Sequence, residues 1–95
     1  MKAAWYLNTD AIEAAAFPRG AFCLAVNGNG ETCSLIAVCV GCGGLSALTC
    51  SRDGKPPGDK TWHLTGTDDA PTLSPSVHHV GCWHGWLRDG EWSAA

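Results

Sequence analysis

Two short stretches, Cys39-Val40-Gly41-Cys42-Gly43-Gly44 and Gly81-Cys82-Trp83-His84-Gly85, each carry a pair of soft metal ligands. In the first, two intervening residues let a tight turn aim both sulfurs at one point, and the glycines leave room for backbone N–H groups to support the thiolates. In the second, residues at i and i+2 of an extended strand project from the same face. Cys39, Cys42, Cys82 and His84 together make Cys3His, a usual tetrahedral shell for structural Zn2+. His78, His79 and Cys50 stand in reserve as replacements for one of the four.

The 95 residues allow one domain (1–95) with a modest core, and twelve glycines and five prolines point to many turns and little long helix. A structural zinc contributes on the order of 10 kcal/mol to folding, more than so small a core leaves in surplus. The rival reading of six cysteines is three disulfides, which need an oxidising compartment and an export signal. The first ten residues turn polar too early for an apolar export core, and no run approaches the roughly 18 apolar residues of a membrane helix. The expectation is therefore a cytoplasmic protein with reduced or metal-bound thiols. A three-residue loop of Asn27-Gly28-Asn29 would set Cys23 opposite Cys33, whereas another register would separate them.

Outward from the ligands, the elements are short. Asp10 followed by Glu13 resembles a capping box, which predicts a helix over 11–17 stopped by Pro18. Segments 21–26 and 32–40 flank an Asn-Gly-Asn-Gly turn and read as a hairpin feeding the CxxC knuckle. Residues 51–60 are turn chemistry and predict a mobile loop. A strand resumes over 61–64, the chain bends through Gly66, Pro71 and Pro75, and another strand follows over 76–80. Asp89-Gly90 suits a type I′ turn joining Leu87-Arg88 to Glu91-Trp92. The fold class is mainly β (a small α+β domain), with a short N-terminal helix, a C-terminal β-hairpin and a zinc ribbon-like knuckle.

The order Cys39-Val-Gly-Cys42-Gly, Trp62-His-Leu-Thr-Gly66, Pro71-Thr-Leu-Ser-Pro-Ser76 and Cys82-Trp-His84-Gly-Trp-Leu-Arg-Asp-Gly90 resembles an uncharacterised family of small phage and prophage proteins. That family is filed under a domain of unknown function, and some members are labelled ammonia monooxygenase. The resemblance covers residues 38–92. It implies a zinc-binding, β-rich fold on Cys39, Cys42, Cys82 and His84, with no activity attached. A membrane copper oxygenase is excluded by the absence of a bilayer span and by the thiolate-rich ligand set. Zinc deaminase signatures are missing too.

Six basic residues against nine acidic ones, a net charge of −3, leave no electrostatic footprint for nucleic acid. Five tryptophans are the other resource. Trp62 and Trp83 are core candidates; Trp86 and Trp92, with Arg88 beside them, are candidates for contact with a protein. The sequence thus leads to the expectation of a non-enzymatic, phage-encoded protein, a monomer or weak homodimer, that binds a host protein of unknown identity, an anti-defence or anti-CRISPR inhibitor being one form. A small zinc-dependent hydrolase and a virion accessory protein are the alternatives.

Overall fold

A computed structural model describes all residues, Met1–Ala95. One short helix, α1 (Thr9–Ala14), precedes seven strands: β1 (Phe22–Val26), β2 (Cys33–Val38), β3 (Leu45–Ser51), β4 (Thr61–Thr67), β5 (Ala70–His79), β6 (Trp83–Arg88) and β7 (Glu91–Ala94). The strands form one sheet in chain order, antiparallel throughout except for the parallel β3–β4 pair. The mainly β class with an N-terminal helix and a C-terminal hairpin is therefore what the chain adopts. No helix is long and apolar enough to cross a membrane.

The sheet curls until its edges nearly meet, and the first residues join them. Met1 N donates to Trp92 O, Trp92 N to Met1 O and Ala3 N to Gly90 O on the β7 side; on the β1 side Phe22 N donates to Ala4 O and Tyr6 N to Phe22 O. This strap satisfies edge groups that would otherwise stand open. Alternation along the strands then sends one set of side chains inward. Phe22, Leu35, Ala37, Cys50, Trp62, Leu64, Leu73, Val77, Leu87 and Trp92 are buried together there. A smaller cluster of Ile12, Ala21, Cys23 and Val38 forms where α1 covers the outside of β1 and β2.

Several local expectations shift. The helix starts earlier than the Asp10 reading, because Asn8 is the N-cap and its Oδ1 accepts from Ala11 N (2.9 Å). It stops where Ala16 and Phe17 take positive φ, ahead of Pro18. The first hairpin uses a longer loop than three residues: Asn29 Oδ1 accepts from Glu31 N and Thr32 N, and Cys23 falls opposite Ile36. Cys33 instead faces Cys50 on β3. The bend expected through Gly66 and Pro71 is a tight β4–β5 turn, after which β5 runs on through Pro75. The terminal hairpin has the expected register, Arg88 opposite Glu91 and Leu87 opposite Trp92, with positive φ at Asp89 and Gly90. Trp92 is no surface residue: it is 5% exposed, and its indole Nε1 donates to Gly20 O (2.9 Å).

Candidate functional site

Two turns at one end of the curled sheet meet. The β2–β3 turn brings Cys39 and Cys42; the β5–β6 turn brings His79 and Cys82. The ligand atoms of these four residues all lie within 4.8 Å of one another and could hold a metal ion. Backbone geometry explains the convergence. Gly43 N donates to Cys39 O and Cys82 N to His79 O, so each ligand pair brackets a tight turn. The turns touch closely enough that a Cβ on Gly41 would lie 2.7 Å from Cys82 O. Gly44 N donates to Cys42 Sγ (3.4 Å), and His79 Nδ1 is 3.7 Å from the same sulfur.

The thiols show opposed tendencies. Burial works against ionising Cys39, but hydrogen bonds from the Cys42 and Gly41 backbone and from the His79 and Cys42 side chains outweigh it, and its pKa falls to about 7. Cys82 is pushed up to about 11, first by its hydrogen bond with Cys42, then by desolvation and by the charge of Cys42 and Cys39. One thiolate is favoured and a further one opposed, which is the electrostatics of a donor set that a cation completes.

His84 is not among the four. It sits within β6, opposite His78, and its Nε2 is 3.1 Å from Ser76 Oγ. β6 begins at Trp83, so Cys82 belongs to the turn, where strand alternation does not hold it on the face of His84. His79, one of the reserve ligands, takes the position instead. A repeat in the sequence carried the signal, since Cys39-Val40-Gly41-Cys42 is echoed by His79-Val80-Gly81-Cys82. The other reserves lie elsewhere. His78 packs against His84 (ring centroids 4.8 Å), and Cys50 is buried with its Sγ 3.3 Å from Cys33 Sγ.

The Ser76–His84 contact lies beside a bulge. Leu73 pairs with Leu87 and Val77 with Gly85, so β5 carries two more residues than β6 between those points. Ser76 shares the outer face of β5 with His78, and its hydroxyl reaches the ring of His84 on β6. Trp62 Nε1 donates to Ser76 O (3.1 Å) and fixes the bulge from the β4 side. His84 is flanked by His78 and by Trp86 (6.3 Å), and Arg88 lies over the Trp86 ring at 4.8 Å. Trp86 and Arg88, expected to face a partner, thus border this pair. The sequence reading missed Ser76; its signal was a serine on the same strand face as His78, just before the Cys82-Trp-His84 stretch.

The chain is thus a small β domain with a histidine ring nitrogen within hydrogen-bond reach of a serine hydroxyl on its outer face and, at one end, four Cys and His side chains that could hold a metal ion. Residues 6–95 match the model of the BubE family, described as a bacterial ubiquitination-like system serine protease, and the chain belongs to that family. No curated protein and no solved structure matches it. Family membership overturns the expectation of a non-enzymatic protein that binds a host target: the family is one of proteases. The small-family resemblance holds only in its coarser part, a small domain with a Cys/His cluster.

Proposed function

We propose that this protein is a serine hydrolase that cleaves acyl bonds in the protein conjugates of a bacterial ubiquitination-like system, with Ser76 as nucleophile and His84 as general base. The observation that carries the reading is the 3.1 Å approach of Ser76 Oγ to His84 Nε2, the reach required for activating a hydroxyl; the family description supports it. Nε2 accepts the hydroxyl proton when the neutral ring carries its own proton on Nδ1. Ser76 Oγ attacks the carbonyl carbon as its proton passes to Nε2; the imidazolium then gives that proton to the departing amine, leaving an acyl-serine. Water attacks the ester, its proton passes through Nε2 back to Ser76 Oγ, and the acid product leaves.

In this reading the cluster of Cys39, Cys42, His79 and Cys82 holds Zn2+ structurally. Three thiolates and one imidazole fill a tetrahedral shell, which leaves the chemistry to the serine. The ion would clamp the β2–β3 turn to the β5–β6 turn and so steady both strands of the Ser76–His84 pair.

The test is a fluorophosphonate, which traps an activated serine. Stoichiometric labelling that maps to Ser76 and vanishes in Ser76→Ala and His84→Ala supports the reading. An unlabelled, correctly folded wild-type chain would sink it.

A further inference from the structure

Strand β4 separates β3 from β5, but only along part of their length. It pairs with β3 at Thr49–Ser51 alone and with β5 at Ala70–Ser74 alone. Residues Leu45–Leu48 of β3 and Val77–His79 of β5 extend beyond Thr61, where β4 begins. There the sheet has a place for a strand and none occupies it.

Both sides of this notch present open main chain. Ala95 N donates to His84 O (2.9 Å), so the peptide groups of His84 face β7. Pairing in an antiparallel ladder alternates; His78, opposite His84, therefore turns its N–H and C=O away from β6 and into the notch. On the other side, Val38 N donates to Ala21 O and Gly20 N to Val38 O, so Val38 faces β1. Leu45, opposite Val38, and Ala47, two residues on, turn theirs away from β2 and into the same notch. Behind the open edges lies an apolar cavity lined by Ser46, Leu48, Val77, Trp83 and Trp92. The notch ends at the Cys39 and His79 turns on one side and at Thr61 on the other. Two residues on from the His63–Ser74 pair, the register brings Thr61 level with Ser76, whose carbonyl Trp62 Nε1 already caps.

We infer that this notch is the substrate cleft: an extended polypeptide segment enters it as an added strand between β3 and β5, buries an apolar side chain in the cavity and delivers its scissile carbonyl to Ser76. Unpaired strand edges select extended main chain, and pockets for alternate side chains give specificity. A folded surface or a helix offers no such row of donors and acceptors. The assignment deepens the serine-hydrolase reading and rests on it only for what happens at Ser76. It also gives the cysteine–histidine cluster a second consequence, because its two turns fix the far end of the cleft.

The full chain carrying Ser76→Ala, which cannot consume its ligand, is titrated by NMR with acetyl-Gly-Thr-Leu-Thr-Gly-amide. Comparison peptides carry aspartate, or N-methyl-leucine, in place of the leucine. The expected result is saturable shifts at the amides of Leu45, Ala47 and His78, with about tenfold weaker binding for each comparison peptide, the scale of one buried side chain or of a charge-free hydrogen-bond pair. Ala47→Pro removes a donor that faces only the notch, and Leu48→Trp fills the cavity. Either should weaken the leucine peptide about tenfold while amide shifts at Cys39–Cys42 stay in place. Unmoved Leu45, Ala47 and His78 amides at high peptide concentration, or equal affinity for the leucine and aspartate peptides, overturn the cleft. Fluorophosphonate labelling of the wild type, which needs the Ser76–His84 pair and not the notch, fails or succeeds independently and so separates loss of the cleft from loss of the hydrolase.

Discussion

His79 Nδ1 lies 3.7 Å from Cys42 Sγ, a contact between the ends of two different hairpins. His84, five residues further on, spends its ring on Ser76 instead. The two histidines are therefore separable by mutation. His79→Ala should release zinc and expose the apolar interior, since a structural zinc contributes on the order of 10 kcal/mol. His84→Ala should keep about one zinc per chain. Metal content by inductively coupled plasma spectrometry, with thermal unfolding alongside, checks this; equal zinc loss in both variants would return His84 to the ligand set.

Hydrolysis should show a graded pattern around the bulge. His84→Ala is expected to lower kcat by ~10³-fold, and Ser76→Ala by at least as much. Trp62→Phe keeps the ring but loses the bond to Ser76 O, and should lower kcat about tenfold with KM little changed, because it shifts the nucleophile without touching substrate. A fall in KM affinity alone would place Trp62 in binding rather than in positioning.

Cys50 gives a pH signature. Burial first, and its contact with the Cys33 thiol next, push its pKa from 9.0 up to about 12. Between those values the unfolded chain has lost the proton that the native chain keeps, so the unfolded state binds fewer protons and stability falls as pH rises. The stabilisation is complete below pH 9 and is lost toward pH 12, by up to about 1.4 kcal/mol per pH unit. Urea unfolding in reducing buffer from pH 8 to 11 should show a steeper decline for the wild type than for Cys50→Ala. Parallel declines would mean that Cys50 titrates normally.

Gly41 tests the join between the two turns. A Cβ there would meet Cys82 O at 2.7 Å and Trp83 Cβ at 3.2 Å, so Gly41→Ala must push the turns apart. Zinc affinity should drop about tenfold, within the range for groups that support a ligand, although all four ligands remain. Chelator competition measures it, and unchanged affinity would show that the turns move freely against each other.

Local chemistry made some elements readable. Asp89-Gly90 can hardly be anything but a tight turn, and Arg88 and Glu91 beside it fixed the register. Cys39 and Cys42 were equally plain, because their geometry closes within four residues. His79 and Ser76 were not, for a shared reason: each depends on where β5 and β6 stop being regular. The turn at Val80-Gly81 removes Cys82 from the strand, and the two-residue shift between Leu73 and Val77 changes which β6 residue lies nearest Ser76. Trp92 was misread as exposed because its burial depends on Gly20 and Met1, which lie seventy or more residues away in the chain. The proposed hydrolytic role was outside the reach of motif reading, since the serine and histidine that support it are far from any catalytic motif and meet across paired strands.

The strap formed by the first residues has a kinetic side. Met1 joins Trp92 across 91 positions of chain, while each hairpin pairs neighbours in sequence. Hairpins can therefore assemble early and locally, but the wall cannot close until the two most distant stretches find each other, and that encounter carries the largest loop-closure entropy in the molecule. Until then β1 and β7 remain bare and able to pair with another chain. Closure by the strap therefore does more than complete the sheet: it ends the interval in which those two edges are open to another chain.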